Sequence, residues 1–171
     1  ISGFGQTGPM SPRPAYDQII QGISGIMSIT GHEKKNPLRV GSPLADTIGG
    51  LTAAMAISAA LNKNPRGQMI DVSMLDSVLT TLGWVVSNYL IGGILPAPQG
   101  NENMTSAPSG TFQTKKGLIN IAANEEKQWQ SLIKHLGCQY LSKDDRFSTR
   151  DSRKKNRKQL NKEREKFLKK K

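Results

Sequence analysis

The spacing of apolar residues predicts a first half built from helices. Isoleucine and methionine recur three and four residues apart across 17–28, alanine and leucine fill 46–62, and a stripe of leucine and valine runs along 72–90. A repeat near 3.6 residues is typical of helices that bury one face. We therefore predict three helices, joined by loops rich in glycine and proline over 3–14 and 31–43.

The pattern changes in the second half. Two short runs, 111–114 and 118–122, flank a Lys-Lys-Gly turn and predict a β-hairpin. A helix is predicted over 125–136, because apolar residues recur there at helical spacing and Gly137 follows as a natural stop. The C-terminal stretch is expected to be helical only in part, because it has too few leucine and phenylalanine residues for a packed apolar stripe.

A proline-rich stretch between these two patterns marks a candidate domain boundary. We assign residues 1–95 to one domain segment, 96–109 to a linker, 110–150 to the start of a second domain and 151–171 to a basic, truncated tail. The chain begins with Ile1 rather than Met, and its first residues are typical of a strand that runs into a glycine-rich turn. We therefore expect a fragment that starts within a domain.

The strongly basic composition belongs to one end of the chain. Residues 142–171 carry 14 Lys and Arg against 5 Asp and Glu, which accounts for +9 of the net charge of +11. A basic tail can bind nucleic acid through its phosphates, but it is more often a solvated helix face. Only Phe147 and Phe167 interleave with the charges, so the stacking platforms of single-strand binding proteins are not predicted. Nucleic-acid binding by this tail is therefore the minor alternative.

Few other residues form a constellation with chemistry. Cys138 is the only cysteine, which excludes an intrachain disulfide and fits a reducing cytoplasm. His32 and His135 have no Cys or His partner at ligand spacing, so no metal site is predicted. The glycine-rich run 3–9 matches neither the dinucleotide fingerprint nor the P-loop. The longest apolar stretch, 72–91, is interrupted by polar residues and predicts a buried helix rather than a membrane span.

Asp46 has the context that most favours chemistry. It lies in the first turn of the predicted alanine-rich helix, after Pro43 and before Gly49 and Gly50. A carboxylate there can accept free backbone N–H groups and is stabilised by the helix dipole, so we expect it to stay ionised. The small neighbours leave room for a ligand. Simple capping of the helix is the alternative role, and position alone does not decide between the two.

Five segments, taken in order along the chain, resemble the class III CoA-transferase family, also called the CaiB/BaiF family. They are GFGQTGP at 3–9, RPAYD at 13–17, GISGIM at 22–27, PLAD at 43–46 and GQMIDVSMLD at 67–76. Two further segments, NEEKQW at 124–129 and DDRF at 144–147, are similar to the small domain of that family.

The resemblance implies an α/β fold and a covalent mechanism. Family members have a Rossmann-like large domain and a small α+β domain, and two chains interlock as a dimer. Residues 1–95 would then be the C-terminal part of the first large-domain segment. The family's nucleophile falls on Asp46, whose carboxylate would attack the acyl-CoA thioester and form a mixed anhydride, then an aspartyl-CoA thioester. CoA is a substrate in this chemistry, and no cofactor is implied.

The resemblance also implies a CoA-binding segment. It falls on Arg13, Pro14, Ala15, Tyr16 and Asp17. In a sister branch, the α-methylacyl-CoA racemases, a His acts with the Asp as an acid/base pair, and Tyr16 stands at its position here, thirty residues before the Asp. Tyrosine is a poor base at neutral pH, because its ordinary pKa is about 10. A transferase is therefore favoured, with a racemase-like epimerase as the alternative.

The same resemblance sets the expectations for the whole protein. Its substrates would be acyl-CoA and carboxylic acids, and it would act as a cytoplasmic homodimer without nucleic-acid or membrane partners. Members of the family are more than twice as long as this chain. We therefore expect the 171 residues alone to be weakly active or inactive.

Overall fold

The chain divides into two compact units. A computed structural model describes residues 1–32, 36–63 and 67–170, so parts of the predicted loop 31–43 and of a turn expected at 64–67 lie outside the described residues. The first unit is Ile1–Gly100 and the second is Asn101–Lys171. The division falls within 96–109, but the assignment of the units to a large and a small domain stays a prediction.

Five helices form the described part of the first unit. They are α1 (Asp17–Ile23), α2 (Ile26–Ile29), α3 (Leu44–Leu61), α4 (Met74–Thr81) and α5 (Trp84–Leu90). The helix predicted over 17–28 is broken at Gly25, whose φ of 82° lies in the left-handed region. The helix predicted over 72–90 is broken in the same way at Gly83, with a φ of 48°. Apolar spacing continues through both breaks, so the spacing alone predicted single helices.

The core of the first unit is small and is built where α1, α3 and α4 meet. Its buried residues are Ile20, Ala45, Met74 and Val78. The buried face of α3 carries Ala45, Gly49 and Ala53, so the helices can approach closely. A Cβ atom added at Gly49 would lie 3.2 Å from the Met74 Cγ. Small residues thus fix the distance between α3 and α4.

The first residues of the chain pair with the segment before α4. A parallel bridge joins Ser2 to Ser73, and the Ser2 amide donates to the Val72 carbonyl at 3.0 Å. The strand character predicted for the first residues is therefore limited to this bridge among the described residues. The helix α4 begins at the same point, because the Ser73 hydroxyl accepts the Asp76 amide as an N-cap.

Much of the apolar surface of α3 is exposed. Leu51, Met55, Ile57 and Leu61 are all more than half exposed. Among the described residues this helix, Leu44–Leu61, is the one that is long and apolar enough to cross a membrane by length and composition alone. Core helices of soluble proteins pass the same test.

The second unit combines a hairpin with helices. Its elements are β1 (Ser109–Thr114), β2 (Gly117–Ala122), α6 (Glu126–Leu136), a short 3-10 helix (Gln139–Lys143), α7 (Arg150–Lys155) and α8 (Arg157–Leu168). The strands are antiparallel, with Ser109 opposite Ala122 and Thr114 opposite Gly117. The predicted hairpin is therefore confirmed. The helix predicted over 125–136 is confirmed too, and it ends at Gly137 in the left-handed conformation.

The C-terminal stretch is part of the core of the second unit, and the prediction that it lacks a packed stripe was wrong. Leu160 is fully buried and Leu168 is 5% exposed, in one cluster with Trp129 of α6, Phe112 of β1 and Phe147. Two arginines complete the buried side of these helices. They are Arg153 and Arg164, and the sequence pattern predicted that both would lie on the surface.

Arg153 is buried with every part of its guanidinium engaged. Its Nε donates to the Ala107 carbonyl at 3.2 Å, its Nη1 to the Phe147 carbonyl at 3.1 Å and its Nη2 to the Glu126 carboxylate at 2.7 Å. The guanidinium also lies over the ring of Trp129. Burial raises the pKa of Glu126, but hydrogen bonds from its neighbours and the arginine charge outweigh burial, so that this pKa lies below its ordinary value.

The end of the predicted linker, residues 106–109, is also buried structure. Ser106 and Ala107 are almost inaccessible, and the Ser106 carbonyl accepts a hydrogen bond from Arg157 at 3.0 Å. The Asn103 amide donates to the Ser109 carbonyl. The second half of 96–109 therefore belongs to the second unit. The described chain as a whole is a mixed α/β structure with one small antiparallel sheet, which confirms the α/β class at this level.

Candidate active site

Asp46 is the third residue of α3, and its side chain is exposed. It lies one residue after Ala45, which is completely buried against α1 and α4. Its main chain is therefore anchored while its carboxylate faces solvent. No described residue donates a hydrogen bond to this carboxylate. The oxygens are free to meet a substrate.

The free backbone amide at the start of α3 is satisfied by a different carboxylate. Asp17, the first residue of α1, accepts the Ala45 amide through Oδ1 at 2.7 Å. The N-cap residue, Pro43, has no side chain that could accept an amide. The expectation that Asp46 itself accepts the free amides of this helix was wrong: Asp17 does so from 28 residues earlier in the chain.

Gln21 completes the support of the helix start. It is fully buried, and its Nε2 donates to the Asp17 Oδ2 at 2.7 Å and to the Ser42 carbonyl at 3.1 Å. Its Oε1 accepts the Val40 amide at 2.8 Å. Both of its N–H donors and its carbonyl oxygen are therefore used. Gln21 was not predicted from the sequence, although its spacing of four residues from Asp17 on one helix face was a usable signal.

The segment predicted to bind CoA lies beside the start of α3. Arg13, Pro14 and Tyr16 are exposed, and Tyr16 has 82% of its surface accessible. A 2.7 Å hydrogen bond joins Asp17 to Ala45. Residues 16 and 46 are the sequence neighbours of these two bonded residues. The fold therefore brings together the predicted CoA-binding segment and the predicted nucleophile. Both oxygens of Asp17 are already engaged with protein groups.

The other residues considered from the sequence form no second centre. Cys138 is fully buried in the second unit, and burial raises the pKa of its thiol while the charge of Arg164 opposes that rise. Among the residues that the structure describes, no group of three or more His, Cys, Asp or Glu side chains is arranged to hold a metal ion.

The fold defines the class of protein when it is compared with solved structures. A CaiB/BaiF family protein from Brucella suis superposes with a TM-score of 0.83 and 36% identity, over 98% of this chain and 45% of that one. A Mycobacterium tuberculosis protein solved in an orthorhombic crystal form superposes with a TM-score of 0.85 and 27% identity, over 99% and 45%. The fold is that of the CaiB/BaiF proteins.

Sequence comparison identifies the family directly. The chain matches CoA-transferase family III over residues 1–171 and belongs to that family. It is 36% identical to the succinate–glutarate CoA-transferase of Agrobacterium fabrum over 156 residues, 90% of this chain and 39% of that protein. It is 36% identical to the human succinyl-CoA:glutarate CoA-transferase over 163 residues, 94% of this chain and 37% of that protein.

A third relative has a different acceptor in its name. The acetyl-CoA:oxalate CoA-transferase of Acetobacter aceti is 37% identical over 150 residues, 85% of this chain and 39% of that protein. The chain thus spans about two fifths of the length of the curated relatives that it matches.

Proposed function

We propose that the protein which carries this chain transfers CoA between carboxylic acids, with Asp46 as the nucleophile. The observation that carries the proposal is an exposed Asp46 carboxylate without a hydrogen-bond partner among the described residues, on a backbone that is fixed beside the exposed residues Arg13, Pro14 and Tyr16. Membership of CoA-transferase family III supports the reaction type. Activity, substrates and partners of the whole protein are part of this proposal.

The proposed reaction needs no redox change and no net proton. An Asp46 oxygen attacks the thioester carbonyl of the acyl-CoA, the C–S bond breaks, and a mixed anhydride and CoA thiolate result. The thiolate attacks the aspartyl carbonyl of the anhydride and releases the donor carboxylate, which leaves an aspartyl-CoA thioester. The acceptor carboxylate repeats the two steps in reverse order and departs as the new acyl-CoA. Asp46 is then a free carboxylate again.

The unengaged state of Asp46 suits this role. A carboxylate that caps its own helix would have to give up charge-assisted hydrogen bonds before attacking a carbonyl. Asp17 takes the capping position instead, so the Asp46 oxygens carry no such cost. The oxyanions that form along the pathway need hydrogen-bond donors, and the start of an 18-residue helix places positive potential near them.

The exposed segment before α1 is the proposed CoA contact. Arg13 supplies a cation for a phosphate, and Pro14 and Tyr16 supply an apolar and aromatic surface for the adenine or pantetheine. Ala15 is half-buried against the core and contributes its backbone to the segment. The backbone of Asp17 completes the segment, because its carboxylate is held by Ala45. CoA enters as a substrate, and no cofactor is invoked.

The names of the relatives suggest the substrate class. Glutarate and oxalate stand in the names of three of them, which favours a short dicarboxylic acid as acceptor and a small acyl-CoA as donor. For the whole protein we infer a Rossmann-like large domain, an interlocked homodimer and a cytoplasmic location. The similarity to CaiB/BaiF structures supports the architecture in outline.

The direct test is a transfer assay on the protein that carries this chain, at its native length. Succinyl-CoA is mixed with glutarate, and formation of glutaryl-CoA is followed by chromatography. We expect turnover in the unmodified protein and loss of at least about a thousandfold in kcat for Asp46→Asn, because removing a nucleophile removes the covalent route. Asp76→Asn is the matched control, since Asp76 is also an exposed first-turn carboxylate. Equal turnover in Asp46→Asn would contradict the assignment.

The racemase-like alternative makes a different prediction. An epimerase exchanges the α-proton of its acyl-CoA with solvent, whereas the transfer steps break no C–H bond. Incubation of a 2-methylacyl-CoA in deuterium oxide separates the two reactions. Deuterium incorporation at the α-carbon without CoA transfer would favour the epimerase.

A further inference from the structure

Asp17 and Gln21 form a closed polar unit between α1 and the start of α3. The Asp17 carboxylate accepts Ala45 and Gln21, and Gln21 also binds the main chain at Ser42 and Val40. These hydrogen bonds therefore fix the backbone conformation on both sides of Pro43. The unit ends one residue before Asp46.

Two features suggest more than general stabilisation. Gln21 is fully buried, and burial of an amide is costly unless its donors and acceptor are satisfied, as they are here. The charge-assisted bond from the Ala45 amide to Asp17, at 2.7 Å, belongs to the stronger kind of hydrogen bond, because its acceptor is a carboxylate. This charge-assisted anchor of the helix start is thus attached to the residue that precedes the proposed nucleophile.

We propose that Asp17 and Gln21 are positioning residues for Asp46, acting through the Ala45 amide and the 40–43 backbone. This inference rests on the proposed function of Asp46. It gives Asp17 a different role from CoA binding: its carboxylate sets where the first turn of α3 begins and leaves the Asp46 oxygens unbonded. A displacement of about 1 Å at a reacting group can lower a rate about a hundredfold, so the anchor acts on kcat.

The experiment separates positioning from CoA binding. Asp17→Asn keeps an oxygen for the Ala45 amide, but its new NH2 group meets the NH2 group of Gln21, so one bond of the unit is lost. We expect kcat for CoA transfer to fall about ten- to a hundredfold, with KM for acyl-CoA changed by less than about threefold. A large rise in KM at unchanged kcat would overturn the proposal in favour of a CoA contact.

A swapped pair tests whether the bond itself matters. In the double variant Asp17→Asn with Gln21→Glu, the asparagine NH2 donates to the new carboxylate, which still accepts the Val40 amide. We expect kcat of the double variant to be at least about fivefold higher than kcat of Asp17→Asn. Recovery stays partial because the Ser42 carbonyl loses its donor. If kcat of the double variant is as low as kcat of Asp17→Asn, or lower, the proposal is overturned.

Hydrogen exchange and a control variant complete the design. The Ala45 amide is expected to exchange faster in Asp17→Ala than in the unmodified protein, and Asp76→Asn is expected to change neither exchange nor kcat. Faster exchange with unchanged kcat would overturn the positioning role while the proposed function stands. Absence of CoA transfer in the unmodified protein would instead refute the proposed function, and the inference with it.

Discussion

The two buried arginines of the second unit are predicted to have opposite effects on stability. Arg164 is fully buried, yet only its Nη2 has a hydrogen-bond acceptor, the Asn161 Oδ1 at 2.7 Å. Its Nε and Nη1 have none among the described residues. Arg153 is equally buried, but all three of its nitrogens donate to protein oxygens.

The magnitudes follow from these contacts. Burial lowers the pKa of Arg164 to about 10, a penalty on the charged form of about 3 kcal/mol at about 1.4 kcal/mol per pH unit. The guanidinium recovers part of this through the ring of Phe112, 4.1 Å away, worth about 1–2 kcal/mol. Methionine keeps the apolar contact without the charge. We expect Arg164→Met to raise the free energy of unfolding by about 1–3 kcal/mol.

Arg153→Met is the matched variant. It would leave the carbonyls of Ala107 and Phe147 without a donor in a buried place and would break the bond to Glu126. We expect it to lower the free energy of unfolding by about 3–5 kcal/mol.

Urea unfolding followed by tryptophan emission measures both effects. Trp129 is completely buried in the second unit, so its red shift reports that core, and a Trp84→Phe background removes the exposed tryptophan of the first unit. Destabilisation by Arg164→Met as large as that by Arg153→Met would refute the reasoning, because it would mean that the unpaired donors cost nothing.

Three further predictions concern packing, the thiol and pH. Gly49→Val is expected to destabilise the chain by about 1–3 kcal/mol, because its branched side chain meets Met74. Gly50→Ala has open space around it and is expected to stabilise the chain by about 0.5–1 kcal/mol. Thermal unfolding measures both effects. Cys138 is expected to react with a thiol reagent only as fast as the second unit unfolds, because burial raises its pKa and blocks access, and rapid labelling in native buffer would contradict this. The pKa of Glu126 lies below its ordinary value, so its contribution to stability is complete above about pH 4.3 and is lost as the pH falls through the lower folded-state pKa. Urea midpoints at neutral and acid pH should therefore differ less in Glu126→Gln than in the unmodified protein.

Local signals predicted the second unit's hairpin and its first helix correctly. The turn at 115–117 and the stop at Gly137 are properties of a few adjacent residues, so the sequence alone was sufficient. The breaks at Gly25 and Gly83 were missed because apolar spacing does not report a positive φ. Partial helicity of the C-terminal stretch was predicted, but its packing into the core was missed, because arginine stems on aromatic rings fill core positions that a hydrophobic pattern assigns to solvent.

The candidate site was also predictable only in part from the sequence. Asp46 and the segment 13–17 came from motifs that resemble a family, and the family is confirmed. The bond between Asp17 and Ala45 links residues 28 positions apart, and a long-range contact of this kind leaves no periodic trace in one sequence. Position in the first turn predicted that Asp46 would cap its own helix, which was wrong, because the carboxylate of Asp17 accepts the Ala45 amide.

The central claim is that Asp46 becomes covalently attached to CoA, and trapping that species tests it most directly. The protein that carries this chain is incubated with succinyl-CoA and quenched with hydroxylamine, which converts an aspartyl thioester to a hydroxamate and releases the CoA thiol. Peptide mass spectrometry should find the hydroxamate on Asp46, and the Asp46→Asn protein should show none. Turnover with no modification at Asp46, or with the modification on another residue, would contradict the account.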